Sequence, residues 1–313
     1  MRKLNLPLRN LNSQEVVLLS RRLFSLVLSG ALAAAFVPNA FAVAQPLDIR
    51  VIDEEEPPDC TEFVPASYSV TGITDDAKKV SLDVYMLLDF KEGAAIRAKL
   101  QRAKRTGNVA LRRDAKAEFR VLVKKAKDFL KKSPTSYAPL EIKLNFKKWG
   151  LLAQPRKRIV DSQKIINLSK KQFGGRRPGG YDIVYTLTDL DMTAPGLGSA
   201  VAGQADCIGG VRYDKHAFAV GEISQFEDLQ LGPVTFYHAA TAKIASHEIG
   251  HLMGAHHHYQ DCVEGIPSEL EEGEPSPCTL MTNAVDFQSL NFSVLEGAVV
   301  RGHALDFAAA NDR

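Results

Sequence analysis

Residues 79–88 begin by alternating apolar and polar positions and end in an apolar run, a pattern that predicts a β-strand. Leu111, Ala115, Phe119, Leu122, Ala126 and Phe129 recur at helical spacing inside the stretch 93–132, so one face of that stretch is a buried stripe. Gly107-Asn108 divides the stretch into two helices, and Ser133-Pro134 stops the second. Residues 140–146 alternate cleanly and predict a half-buried strand, and 158–172 predict a helix ending at Gly174-Gly175. After Gly179-Gly180, residues 181–188 are rich in β-formers and read as a buried strand. Residues 200–205 and 216–221 predict two further strands, and a helix is expected from near His238 to Met253. From Phe287 onward, Leu295, Val299, Ala304 and Phe307 predict a C-terminal helix. Strands and helices alternate, which is an α/β layered arrangement. Ahead of it, the acidic run Asp53-Glu54-Glu55-Glu56 and Pro57-Pro58 mark residues 43–78 as a linker or short pro-like segment, with a strand around 63–70.

The N-terminus has a different character. Arg21-Arg22 close a basic region, an apolar run follows from Leu23 to Val37, and Ala40-Phe41-Ala42 offers a small-x-small cleavage site, with Ala42-Val43-Ala44 as the alternative. The apolar run is short for a membrane span, so residues 1–42 read as a signal peptide and the mature chain as lacking a span. Ser20-Arg21-Arg22-Leu23-Phe24 fits a twin-arginine export signal and an ordinary secretory leader equally well. Either implies a secreted or periplasmic protein. Of 313 residues, 45% are hydrophobic and 24% charged, an ordinary globular composition. The formal charge is +2, but the leader holds five basic residues and one acidic; without it 34 basic and 36 acidic residues remain. Nothing in that balance calls for nucleic acid. The basic residues Arg112, Arg113, Lys116, Lys124, Lys125, Lys127, Lys131 and Lys132 are the one electrostatic asymmetry. No aromatic residues interleave with them as a stacking surface requires, which favours a solvated helix face over a binding surface for nucleic acid or anionic membrane.

The chemistry lies in residues 247–257. On a helix, positions i and i+4 share a face, so His247 and His251 can point at one metal ion. Glu248 projects beside that ion, where a carboxylate can hold and deprotonate a water. Gly254 readily takes a left-handed conformation, ending the helix and returning the chain with a third histidine. His256, His257 and His258 are consecutive, and the spacing selects His257. Three protein ligands leave a position open, the arrangement of a catalytic zinc site. The competing reading is a solvated, histidine-rich helix end.

The long form of this motif resembles the metzincin zinc endopeptidases. The resemblance covers roughly residues 79–313 and is strongest over 247–281. It implies a metzincin-like catalytic domain of α/β (α+β) class: a twisted mixed five-stranded sheet with long helices, a zinc cleft and a small C-terminal subdomain. That subdomain would carry a Met-turn, for which Pro277-Cys278-Thr279-Leu280-Met281-Thr282 fits, Met281 lying beneath the imidazoles without being a ligand. Residues 200–205 would be the strand that pairs with extended substrate, and 283–289 would line the pocket after the scissile bond. Closest is the reprolysin (adamalysin)-like branch, where a disulfide clamps the loop between the third histidine and the Met-turn; that implies Cys262–Cys278. Cys60 and Cys207 are then left, paired with each other or with Cys60 capping the zinc as an inhibitory thiolate. Two departures stand out: His258 occupies the place where reprolysins usually have Asp, and Asn283 the place where some metzincins have Tyr.

The implied function is an exported zinc-dependent endopeptidase with one Zn²⁺ on His247, His251 and His257, Glu248 as general base, and a protein or peptide substrate. The alternative is a catalytically silent zinc-binding interaction module, against which the presence of Glu248 argues. The acidic loop 264–277 would suit basic substrates or Ca²⁺, but an exposed polar loop is the simpler reading.

Overall fold

A computed structural model describes residues 56–60, 79–153, 159–196, 199–223, 230–231, 234–235, 239–257, 279–282 and 290–311. All of them belong to one compact unit, Ile49–Arg313. The leader, the strand expected around 63–70, the acidic loop, Cys262, Cys278, His258 and Asn283 lie outside the described residues.

The central strand is β1 (Val80–Asp89). It pairs in parallel with β2 (Ile142–Leu151) on one side and with β4 (Ile183–Thr188) on the other. Next comes β8 (Phe218–Glu222), parallel to β4, and then β7 (Gly203–Ala205), antiparallel to β8. The order is β2-β1-β4-β8-β7, a five-stranded mixed sheet with the antiparallel strand at its edge. Alternation along β1 explains its sequence. Val80, Leu82, Val84, Met86 and Leu88 enter one core, while Leu87 enters a second core on the opposite face. The strand therefore reads half alternating and half continuously apolar because layers cover both faces at its C-terminal end.

Helix α1 (Lys91–Thr106) ends at Gly107 in the left-handed conformation, with φ +66°. Asn108 then caps α2 (Val109–Leu130), its side chain accepting the Leu111 N–H at 2.9 Å. This is the break expected at Gly107-Asn108. Ala115, Leu122, Ala126 and Leu130 are the buried residues of α2, and the last three enter the core that β1 lines. The basic side chains between them face solvent, with Lys124 pairing Asp128 at 3.0 Å and Lys99 of α1 pairing Glu118 at 2.5 Å. A short helix, α3 (Ser133–Tyr137), carries the chain into β2.

Three expectations need correction. The helix expected from 158 starts later: β3 (Ile159–Asp161) precedes α4 (Ser162–Gln172), and the Asp161 side chain caps that helix through Lys164 N at 3.1 Å. The strand expected over 200–205 is two pieces. β6 (Ala200–Val201) pairs with β5 (Asp191–Thr193), which itself pairs with β3, whereas β7 joins the main sheet. The C-terminal helix, α6 (Val294–Asn311), turns Leu295 and Val299 outward, 80% and 40% exposed. Its buried face holds Glu296, Val300, His303, Ala304 and Phe307. Two buried polar side chains, which an apolar count misses, lie on that face, Glu296 accepting from Thr279 Oγ1. A two-stranded ribbon, β9 (Gln230–Leu231) with β10 (Val234–Thr235), precedes α5 (Ala240–Leu252).

Every residue of α5 is buried, so it carries no amphipathic stripe and its helical character came from the ligand spacing rather than the apolar period. It packs against β7, β8 and α3. Tyr137 donates to Ser246 O at 2.7 Å and Ser133 Oγ to Ala242 O at 3.1 Å, fixing its outer side. Among the described residues no helix is long and apolar enough to cross a membrane.

Candidate metal centre

His247 and His251 project from α5 one turn apart, both fully buried. His247 Nδ1 lies 2.9 Å from Leu280 O, and His251 Nδ1 lies 2.8 Å from Ala255 O. A carbonyl oxygen can only accept, so each Nδ1 carries a hydrogen, and Nε2 is the nitrogen each ring can offer to a metal ion. Those two Nε2 atoms face each other at 3.0 Å. That convergence brings the two ring nitrogens close enough to share one ion.

The third ring completes the set. Met253 ends the helix, Gly254 adopts φ +89°, and the reversal carries His257 back to the first two. Its ring centroid lies 4.8 Å from that of His251 and 5.3 Å from that of His247. The ligand atoms of His247, His251 and His257 all lie within 4.8 Å of one another. Imidazoles held by carbonyls at Nδ1 are the usual donors for zinc, and two nitrogens at about 2.0–2.1 Å from a tetrahedral ion stand about 3.3 Å apart. The residues present therefore fit a zinc ion. His256 points outward and is not part of the set.

Glu248 is buried between α5 and β7, and the contact is possible only because residue 203 is glycine. A Cβ built there would stand 2.3 Å from Glu248 Oε1 and 2.9 Å from both Cδ and Cγ. Gly221, paired directly with Gly203 across β7 and β8, makes matching room for Tyr185, whose hydroxyl would lie 2.0 Å from a Cβ. Burial first and the Glu248 carboxylate second hold the hydroxyls of Tyr137 and Tyr185 well above the ordinary tyrosine range, so both stay neutral.

Beneath the helix lies the turn 279–282. Its hydroxyls lock it: Thr279 N donates to Thr282 Oγ1 and Met281 N to Thr279 Oγ1, both at 3.2 Å. Thr279 Oγ1 donates to Glu296 Oε1 at 2.9 Å, tying the turn to α6. Fully buried Met281 packs under Gly250, where a Cβ would meet its sulfur at 2.7 Å. The same turn supplies Leu280 O to His247, so one short segment both floors the helix and orients a candidate ligand. His303 from α6 fills the space beside Gly254, its Nε2 2.4 Å from where a Cβ would be. Burial, then the Arg212 charge, lower its pKa to about 4, so it is a neutral packing group.

Several of these groups escaped sequence reasoning. Gly203, Gly250, Tyr185 and His303 carry no local signal of their role. Glu56 is the most distant in sequence. It accepts the His257 N–H at 2.7 Å and meets His256 Nδ1 at 3.1 Å through the same oxygen. Burial opposes its ionisation, but the bonds from His257 and His256 outweigh that and hold the carboxyl below its ordinary value. Its segment is joined to the domain by the disulfide Cys60–Cys207, Cα–Cα 5.3 Å. Cys60 is thus bonded to sulfur and cannot cap the metal as a thiolate. His216 lies near that disulfide and bonds Asp206 at 2.7 Å, so the Cys60, Cys207, His216 group is spoken for by covalent chemistry. The clamp expected between Cys262 and Cys278 lies outside the described residues.

Comparison with curated proteins gives no match. Among solved structures, the chain is similar to archaemetzincin from Methanopyrus kandleri, with 19% identity, 74% of this chain and 97% of that chain covered, and a TM-score of 0.37. It is also similar to metalloproteinase-II from Bacteroides fragilis, with 15% identity, coverage of 71% and 52%, and a TM-score of 0.37. Archaemetzincin from Archaeoglobus fulgidus, complexed with malonate, matches with 14% identity, coverage of 70% and 99%, and a TM-score of 0.35. A family model, described as metallo-peptidase family M12, matches residues 96–293, well over half of the chain. That span takes in four of the five main strands, the helix bearing His247 and His251, the returning His257 and the turn beneath them, and the chain belongs to metallo-peptidase family M12.

Proposed function

We propose that this metallopeptidase is an exported zinc endopeptidase in which His247, His251 and His257 hold the metal and Glu248 is the general base. One observation carries the reading: two imidazoles fixed at Nδ1 by backbone carbonyls turn their Nε2 atoms toward a common point that a third histidine also reaches. Bound there, zinc supplies Lewis acidity, polarising the scissile carbonyl and making water a stronger acid.

The chain's own residues do the rest. Glu248, one residue from the first ligand, takes a proton from the attacking water and passes it to the nitrogen as the C–N bond breaks. Enclosure between α5 and β7 keeps that carboxylate in one place, so little reorganisation is needed. Met281 and Leu280 maintain the orientation of α5 and of His247 from below. Among the described strands, the outer edge of β7 is open beside Glu248, a suitable edge for an extended substrate backbone. The leader over residues 1–42 supports export, and the secreted or periplasmic setting agrees with a disulfide.

Glu248→Gln tests the mechanism. It should retain zinc at wild-type stoichiometry while cleavage of a protein substrate, chelator-sensitive and zinc-restored in the wild type, falls by about 10²–10⁴-fold. Wild-type turnover by this variant would refute the assignment.

A further inference from the structure

The third histidine presents a problem of positioning. His247 and His251 are held by a rigid helix, but His257 follows a chain reversal and sits in irregular backbone. A ligand on such a segment binds metal well only if something else fixes it beforehand.

That fixing comes from residues 200 positions away. Glu56 Oε1 accepts the His257 N–H and also meets His256 Nδ1. The carboxylate is carried on Pro57-Pro58, whose rings fix the backbone, with Pro57 buried. Pro58 O accepts Ile208 N–H at 2.9 Å, Cys60 N donates to Ile208 O at 3.0 Å, and Asp59 forms an isolated parallel bridge to Ile208. The Cys60–Cys207 disulfide closes this attachment covalently. Gly209, two residues past Cys207, donates to His251 O at 2.8 Å. The segment 207–209 therefore grips the end of the active-site helix with one end and the 56–60 strap with the other.

We infer that Glu56 is a positioning residue for the metal centre, and that the strap 56–60, anchored by Cys60–Cys207, is a working part of the mature catalytic unit. Glu56 is outside the candidate ligand set; it acts through the backbone of His257. The inference rests on the reading of His247, His251 and His257 as the zinc set. It implies that proteolytic removal of the chain through Cys60 weakens the enzyme rather than activating it.

Zinc affinity, measured by competition with a chromophoric chelator, is the test. Glu56→Ala should weaken zinc binding roughly 10- to 100-fold, the usual effect of removing a group that orients a ligand. Glu56→Gln should recover part of the loss, because its amide oxygen can still accept the His257 N–H. The Cys60→Ala/Cys207→Ala variant should lose affinity by a similar factor, and combining it with Glu56→Ala should add little further, since both act through one contact. Wild-type affinity in Glu56→Ala overturns the inference. So do losses that multiply in the combined variant, because a disulfide acting on stability alone would be independent of Glu56. Should the cysteine variant not fold, the Ala and Gln variants at position 56 still decide. His257→Ala separates the levels: if it loses zinc while Glu56→Ala does not, only the strap fails. If His257→Ala binds zinc like the wild type, the ligand assignment itself is wrong.

Discussion

Replacing Gly203 by alanine would add one methyl carbon where Glu248 already sits, 2.3 Å from Oε1 and 2.9 Å from Cδ and Cγ. Ordinary contact between such atoms begins at about 3.5 Å, so one partner must retreat by about 1 Å. Glu248 is fully buried and its helix is packed all round, so α5 cannot yield as a body. Either β7 bends away from α5 or the carboxylate swings to another rotamer. The first route is an overpacking strain of about 1–3 kcal/mol, taken up by a three-residue edge strand. The second displaces the proposed general base by about 1 Å, a misplacement that can lower turnover by about 10²-fold. Both predict a large loss of kcat/KM on a peptide substrate with zinc content unchanged, since no ligand is touched. Kinetics, metal analysis and thermal unfolding on one preparation separate the routes by the change in Tm. Gly203→Ala with wild-type kcat/KM and wild-type Tm would refute the placement of Glu248 against β7.

Two further outcomes follow from the same packing. Tyr137→Phe removes the buried bond to Ser246 O and should lower stability by about 1–1.5 kcal/mol in urea titration; an unchanged midpoint would mean that α3 does not brace α5. His303, with a folded pKa of about 4 against 6.5 unfolded, takes up its proton more readily in the unfolded chain. Its contribution to stability is therefore complete above pH 6.5 and is lost as pH falls toward 4, by about 2 kcal/mol between pH 7 and 5. Metal-free wild type should show that loss relative to metal-free His303→Gln, and parallel stability profiles for the two proteins would contradict it.

Much of the scaffold can be read along the chain because its signals are local. The alternation in β1, the Gly107-Asn108 break and the stripe of α2 each depend on neighbours within one or two turns. The candidate ligand pair likewise needs only the geometry of one helix, and Gly254 announces the reversal through its backbone freedom. Where the sequence misleads, a polar group has taken an inward position: Glu296 and His303 rotate α6 so that Leu295 and Val299 face out. Asp161 caps α4 and so shortens the helix expected from 158.

Sequence by itself determined which residues are candidates for the chemistry, because the histidines on one helix and after its turn are set by spacing. Tertiary structure alone decided what holds that chemistry in place. Gly203 against Glu248, Leu280 O on His247 and Glu56 on His257 join residues 33 to 201 positions apart. Such contacts leave no periodic trace, since each depends on packing between separate elements and not on the conformation of any one of them.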